Sequence, residues 1–379
     1  MSLFLLFLIV GGLALWWGSQ RSTLQPPPVA VPAYDRYDYG QGDTSRIIDI
    51  GTQPSDLSPS FISECLFHDR ILQQQLATGG WTLREHRYLN GRDMLPYCDG
   101  RLELMLLGDL PSFLAMAHYR TGLFAISSHG YDTIISAHTL TPDQLKGLRI
   151  GYPPGTSAHF TLDRALTIGH LAFTDIISVP LQQKDMESAL RNHHVDAVIA
   201  WEPTASGIFA HLPGTRTVFR SETYTYIVLD LDFCTRQPAL QQKLLAAVLR
   251  AIRWGSLDDQ NLRTGLQWMH AGELAFTGTA TTEATDKWIN LLRLEGIANP
   301  SFPMLPLGLA DPQGQFHQQF EFLKKNGLLA DSNNWDRISA CLDLTTLPGI
   351  VSNESKWQVD RFDYAPAKLF NVNKRALTK

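Results

Sequence analysis

The chain has 379 residues, of which 44% are hydrophobic and 18% charged, and its formal net charge is -5. This length exceeds one average domain, and the composition is that of a folded globular protein. The small negative charge and the lack of a lysine or arginine run argue against binding to nucleic-acid phosphates.

The first twenty residues predict a signal anchor or a signal peptide. Residues 3–17 are apolar and uncharged over about fifteen positions, fewer than the roughly twenty of a comfortable membrane span. Both interpretations imply export. No Ala-x-Ala site occurs before Arg21, and Trp16-Trp17 resembles an interfacial aromatic anchor, so an uncleaved anchor is favoured over cleavage.

Residues 21–45, which include three consecutive prolines, predict an extended Pro-rich tether. The four cysteines, Cys65, Cys98, Cys234 and Cys341, lie far apart and lack the paired spacing of a metal site. We expect buried thiols, with one disulfide as the alternative. The sequence predicts no metal site and no cofactor.

From residue 46 onward, strands alternate with helices, which predicts parallel strand pairing in an α/β fold. Strands are predicted over 46–51, 81–89, 102–107, 123–127, 175–179, 195–201 and 224–231, with a further short strand before the turn at 153–157. Helices are predicted up to about 76 and over 112–120, 157–170, 185–192, 238–254, 259–270, 281–295 and 313–327. A second sheet is expected to begin after residue 128. Turns at 52–55, 108–112 and 153–157 follow strands, and ligands of open α/β sheets bind beyond such carboxyl ends.

Residues 147–160 carry the clearest local signal, a short strand, a Pro/Gly turn and a helix start. Gly155 allows close backbone approach, Thr156 or Ser157 can serve as N-cap, and the free amides of the first helical turn suit an anion. The alternative is an ordinary α/β crossover, which begins in the same way. The turn lacks the lysine of a phosphate-binding loop, so no nucleoside triphosphate is indicated.

Three segments together resemble a known family: 145–150, 154–160, and 195–203 with its Trp-Glu-Pro ending. They are similar to the periplasmic solute-binding proteins of nitrate/sulfonate/bicarbonate ABC importers, also called the aliphatic-sulfonate, taurine and NMT1-like family. The resemblance implies an α/β, two-lobed type II periplasmic-binding-protein fold with the ligand cleft between its lobes, here preceded by an N-terminal hydrophobic helix. The implied divisions are a signal segment 1–20, a tether 21–45, lobe one 46–128 plus 226–335, lobe two 129–225, and an irregular C-terminal extension 336–379.

Carried over by position, the resemblance implies a cleft lined by turns of both lobes. The implied ligand-binding residues are Gln53, Pro54, Gly108, Asp109, Ser128, Gly155, Thr156, Ser157, His159, Trp201 and Glu202. Amides and hydroxyls suit oxyanion atoms, whereas the two acids would repel a bare inorganic anion and suit an ammonium or a hydroxyl donor. Packing roles stay open for several of them: an N-cap for Asp109, lobe core for Trp201, a surface ion pair for Glu202, and a packed or capping group for His159.

The function implied is an extracytoplasmic receptor that captures a small polar or anionic organic molecule and delivers it to an ABC importer permease. Such a protein would be periplasmic and anchored to the inner membrane by residues 3–17. No catalytic residue is predicted, because no nucleophile with its base is evident in the sequence. The alternative is a membrane-anchored binding-fold subunit that serves as scaffold or sensor partner in an envelope complex, without transport.

Overall fold

A computed structural model describes residues 37–278, 285–297 and 302–364. The predicted hydrophobic helix and most of the predicted tether lie outside these residues, as does the chain beyond 364. Among the helices of the described ranges, none combines the length and the hydropathy needed to cross a bilayer.

The described strands form one eight-stranded mixed sheet in the order β2-β1-β3-β8-β4-β7-β5-β6. Their bounds are β1 Ile47–Thr52, β2 Thr82–Arg87, β3 Leu104–Gly108, β4 Thr121–Ser136, β5 Arg149–Tyr152, β6 Ile177–Pro180, β7 Ala197–Ala200 and β8 Arg216–Asp230. β1 pairs in parallel with β2 and β3, and β5 with β6 and β7. The other pairings are antiparallel.

The two long strands β4 and β8 pair with each other from Thr121–Asp230 to Ser136–Arg216. Read from either edge, the sheet repeats one pattern, β2-β1-β3-β8-β4 and β6-β5-β7-β4-β8, so its two halves share the long strands. The expected separate second sheet is therefore wrong, because this continuous pairing joins both halves. A register shift between Ile126 and Ser128 interrupts the pairing close to the predicted lobe boundary.

Helices pack around the sheet. Their bounds are α1 Leu57–His68, α2 Arg70–Ala77, α3 Asp109–His118, α4 Ser157–Ile168, α5 Gln183–Arg191, α6 Thr204–His211, α7 Leu231–Arg236, α8 Pro238–Leu257, α9 Asp259–Thr277, α10 Thr285–Leu292, α11 Gln315–Lys325, α12 Trp335–Ser339, α13 Thr346–Val351 and α14 Glu354–Trp357. A seven-residue 3-10 turn, Gly91–Tyr97, lies between β2 and β3.

Strand β7 shows how the core is built. Alternate residues of a strand point to opposite faces, and Ala197 and Ile199 join one buried cluster with α4 residues. Val198 and Ala200 join a second cluster with residues of α5 and α6. Helices therefore cover both faces of this half of the sheet, which explains the continuous apolar run in the sequence.

The C-terminal extension was predicted to be irregular from residue 336, and this is wrong for its described part. Three short helices, α12 to α14, lie there, and Leu347, Ile350 and Val359 are buried. The extension binds the rest of the chain, since Leu342 forms a bridge with Leu123 of β4.

The four cysteines are free thiols, and Cys341 alone of them is not fully buried. The last residues of the predicted tether also belong to the packed body. Tyr39 stacks on His86 with ring centroids 4.4 Å apart, and the amide of Gly40 donates to Asp49 Oδ2 at 2.7 Å.

Candidate ligand-binding cleft

A small cavity lies where β1, β3, β5 and β7 end. Its volume is about 60 Å³. Its lining residues are Gln53, Asp56, Asn90, Gly91, Gly108, Pro111, Ser128, Gly130, Tyr131, Asp132, Thr156, Ser157, Trp201, Glu202, Thr223, Thr225 and Glu295. Both halves of the sheet contribute, as expected for a crevice beyond carboxyl strand ends.

In the first half of the sheet, Gln53 directly follows β1 and Gly108 ends β3. The Gln53 side chain is buried, and its Nε2 donates to the carbonyl of Leu106 in β3 at 2.8 Å. This hydrogen bond fixes the amide at the cavity wall and leaves its Oε1 as an acceptor.

In the second half, the turn before α4 supplies Thr156 and Ser157. Thr156 is the N-cap residue in extended conformation, but its Oγ1 donates to the Pro153 carbonyl at 2.8 Å. No side chain caps α4. The first amides of α4 therefore face the cavity region without a capping acceptor from a side chain. Gly155 has a φ of +76°, which explains why glycine stands there.

Trp201 and Glu202 follow β7. Trp201 is partly buried against the cluster on the α4 face, and it also lines the cavity, so packing and wall formation are combined in one side chain. Glu202 Oε2 accepts a hydrogen bond of 3.0 Å from the amide of Ser206 near the start of α6. Glu202 was predicted to bind the ligand, with a surface ion pair as the alternative; it lines the cavity and accepts this hydrogen bond at its edge.

Four predicted site residues do not line this cavity: Pro54, Asp109, Gly155 and His159. Asp109 is buried behind it, where Oδ2 accepts from Thr223 Oγ1 at 3.0 Å and from the Tyr224 amide at 2.9 Å. It lies in the first turn of α3, whose N-cap is Gly108, so Asp109 is not the cap itself. Burial raises the pKa of Asp109 to about 6.

His159 packs among aromatic rings. Its ring centroid lies 5.4 Å from that of Tyr152, 5.3 Å from Phe173 and 5.1 Å from Phe322. Burial alone lowers its pKa to about 4, so the imidazole is neutral at physiological pH. The packing interpretation left open for His159 describes this geometry.

Three further acids line the cavity and were not anticipated. Asp56 caps α1, and its Oδ1 accepts from the Leu57 amide at 3.1 Å. Asp132 lies on β4 with no exposed surface, and its Oδ2 accepts from Thr161 Oγ1 at 3.2 Å. Glu295 lies in the kinked turn after α10 and accepts from the Ser58 amide at 3.1 Å.

Burial raises the pKa values of these three acids, and the charge of Asp56 adds to the shift for Glu295 and Asp132. The pKa of Glu295 rises to about 8, chiefly through burial and secondarily through the charge of Asp56. Burial raises the pKa of Asp132 to about 7, against the opposing effect of the Ser157 and Thr161 hydroxyls. Burial likewise raises the pKa of Asp56 to about 7. Such perturbed groups in a cleft are typical of functional sites.

Side chains also bridge the two halves around the cavity. Asn90 Nδ2 donates to Gln182 Oε1 at 3.2 Å, and Arg92 donates to the carbonyl of Pro154. On α10, Lys287 Nζ donates to the Ser206 carbonyl at 3.2 Å. These contacts hold the first half of the sheet, with its flanking turn and helix, against the second.

The sequence profile of the family described as NMT1/THI5 like matches residues 122–258. No curated protein matches the sequence.

Several solved structures share the fold. The periplasmic aliphatic sulphonate binding protein SsuA from Escherichia coli has a TM-score of 0.59 at 19% identity, covering 77% of this chain and 91% of that one. The alkanesulfonate-binding protein SsuA from Xanthomonas axonopodis pv. citri has a TM-score of 0.59 at 16% identity, with coverage of 80% and 99%. The desulfurization enzyme DszB has a TM-score of 0.52 at 16% identity, with coverage of 81% and 99%.

These identities show a common fold and leave the ligand open. Binding proteins and an enzyme occur among the matches, so function has to be argued from the site of this chain. The predicted α/β periplasmic-binding-protein fold is confirmed.

Proposed function

We propose that this chain is an extracytoplasmic solute receptor. Its residues 122–258 match the NMT1/THI5-like family, in agreement with the predicted resemblance. It captures a small organic molecule in the cavity between two lobes and presents it to an ABC importer permease. The predicted periplasmic location, and attachment to the inner membrane through residues 3–17, are part of this proposal.

One observation carries the proposal. Residues from both halves of the sheet, Gln53 and Gly108 on one side and Ser157 and Trp201 on the other, line the same cavity. A ligand bound there contacts both halves at once, so it stabilises the arrangement in which they meet. This is the physical requirement for a receptor that closes on its solute.

The lobes proposed are residues 46–128 with 226–335, and residues 129–225, arranged as a type II binding fold. The register shift near Ile126 and Ser128 supports a hinge where the long strand β4 passes between them. Asn90 and Arg92, which contact the second half, support a closed arrangement of these lobes.

The predicted alternative, a scaffold or sensor subunit without transport, has one feature in its favour. The cavity is small, about 60 Å³, and Glu295 takes up part of its wall. A cleft filled by side chains would suit a subunit that no longer binds a solute.

Calorimetry with a panel of small metabolites distinguishes the two. The receptor function predicts saturable binding of at least one compound and a roughly fivefold weaker affinity in Ser157→Ala, since one hydrogen bond contributes about 1 kcal/mol. The matched control is Ser188→Ala, because Ser188 lies on α5 and donates to Asp185 within that helix. No binding across the panel, with stable association to a non-transporter membrane complex, would support the scaffold instead.

A further inference from the structure

The geometry points to a small organic cation, an ammonium or amidinium group, as the part of the ligand that the cavity recognises. This inference rests on the proposed receptor function and names the chemical class of its solute. The positive group is held by the carboxylates of Asp132, Glu295, Asp56 and Glu202, here called the acidic cluster.

The charge of the cavity wall is one-sided. Four of its residues are acidic, and none of its described residues is lysine, arginine or histidine. Two arginines nearby already have partners. Arg92 donates a hydrogen bond to the Pro154 carbonyl, and the guanidinium of Arg220 lies 4.2 Å from the ring centroid of Tyr131. At pH 8, where acids with pKa values of about 7 to 8 are half to mostly ionised, an anion in this cavity would face carboxylates without a described cation in the wall.

A second observation is independent of charge. Asp132 Oδ1 is buried and has no hydrogen-bond partner among the described residues, although the residue has no exposed surface. A buried acceptor without a donor is costly, at about 1–3 kcal/mol. Since Asp132 lines the cavity, a ligand N–H can supply the missing donor.

The helix amides that would attract an anion are largely occupied by the chain's own acids. Asp56 accepts from the amide of Leu57, Glu295 from that of Ser58, and Glu202 from that of Ser206. The starts of α3 and α4 are the exceptions within the described cavity wall, since neither has a side-chain cap hydrogen bond. An anionic group on the same molecule has a place there, but it does not replace the cation.

Two other cavities give weaker evidence for a ligand site. The one beside Asp99, Arg120 and Asp232 is lined by both signs of charge, and Arg120 pairs with Asp232 at 2.7 Å. The one beside Asp109 has Glu222 as its second acid, and Asp109 is already bonded to Thr223 and Tyr224.

Three-carbon and two-carbon probes test the inference on the full-length protein. Propylamine, acetamidine, propane-1-sulfonate and 1-propanol are compared at millimolar concentrations by calorimetry and by thermal shift at pH 8. We expect at least one of the two cations to bind, with no measurable binding of the sulfonate or the alcohol. Asp132→Asn, which keeps the size of the side chain, should weaken cation binding at least tenfold.

Glu295→Gln should also weaken cation binding. Agreement between the two variants would show that the loss is not caused by a folding defect in one of them. The matched control is Glu321→Gln on α11, whose side chain is 58% exposed. It should leave binding unchanged. Circular dichroism verifies folding of each variant.

Three results would overturn the inference. Propane-1-sulfonate could bind more tightly than both cations, or none of the probes could bind. The third is cation binding that neither Asp132→Asn nor Glu295→Gln weakens. The receptor function fails separately, when no compound of the metabolite panel binds. An anionic metabolite found by that panel would keep the receptor and reject the cation.

Discussion

At the scale of single residues, the acidic cluster dominates the chemistry of this chain. Burial raises the pKa values of Glu295 and Asp132, and the charge of Asp56 adds a smaller effect to both. Burying these acids lowers the free energy of unfolding at neutral pH. Buried acids with raised pKa values, held at a cost in stability, are typical of functional sites.

Glu295 gives a prediction for the pH dependence of stability. Its pKa rises from 4.5 to about 8 on folding, so between these values the folded state holds a proton that the unfolded state releases. The free energy of unfolding should therefore fall as pH rises from 5 to 8, by about 1.4 kcal/mol for each unit of pKa shift.

Glu295→Gln should remove this contribution, so its stability should change less between pH 5 and 8 than that of wild type. Urea unfolding at both pH values measures this, with Glu321→Gln as the control. Equal pH dependence in wild type and Glu295→Gln would show that the side chain is not buried as described.

The sequence could predict some site residues because they follow strands in the chain. Gln53, Gly108, Ser157 and Trp201 lie within two residues of a strand or helix end, and local pattern places such ends at the crevice. Glu295 could not be found in this way, since it meets Ser58 across 237 positions of sequence. His159 shared the local pattern but lies on the side of α4 that faces Phe173 and Phe322.

At the scale of elements, the long strand β4 is the main departure from the sequence prediction. It was expected to end at residue 127. The structure continues it to Ser136 through pairing with β8, a contact over about ninety residues that no local pattern contains. Asp132 was missed for this reason.

The C-terminal helices were missed because they are short and depend on tertiary contacts. Arg250 of α8 is fully buried, and its Nε donates to Asp69 Oδ2 at 2.6 Å. Its Nη1 donates to the carbonyls of Trp357 and Gln358 at 3.2 and 3.1 Å. A single side chain thereby joins α8, the start of α2 and the C-terminal extension.

Arg250→Met should destabilise the protein by about 3–5 kcal/mol, because it leaves the buried carboxylate of Asp69 without its partner. The matched control is Arg263→Met on α9, where both members of the ion pair with Asp286 are solvent-exposed. That change should cost less than about 1 kcal/mol. Urea unfolding at pH 7 measures both. Equal losses would contradict the assigned role of Arg250.

At the scale of the whole molecule, alternating strands and helices were sufficient to predict an α/β fold, and the family resemblance implied that it is a binding fold. The sharing of β4 and β8 by both halves was not predictable, because it depends on pairing between distant segments. Because β4 and β8 pair with strands of both halves, the two halves form one sheet, and the cavity lies between their strand ends. The proposed receptor function depends on this placement.

Native mass spectrometry of the full-length protein purified from its own host tests the central claim most directly. We predict that wild type carries one small adduct of uniform mass, released on collisional activation, and that Asp132→Asn carries much less of it. A wild-type protein that shows only its bare mass, with no compound of the metabolite panel restoring an adduct, would contradict a solute held between the two halves.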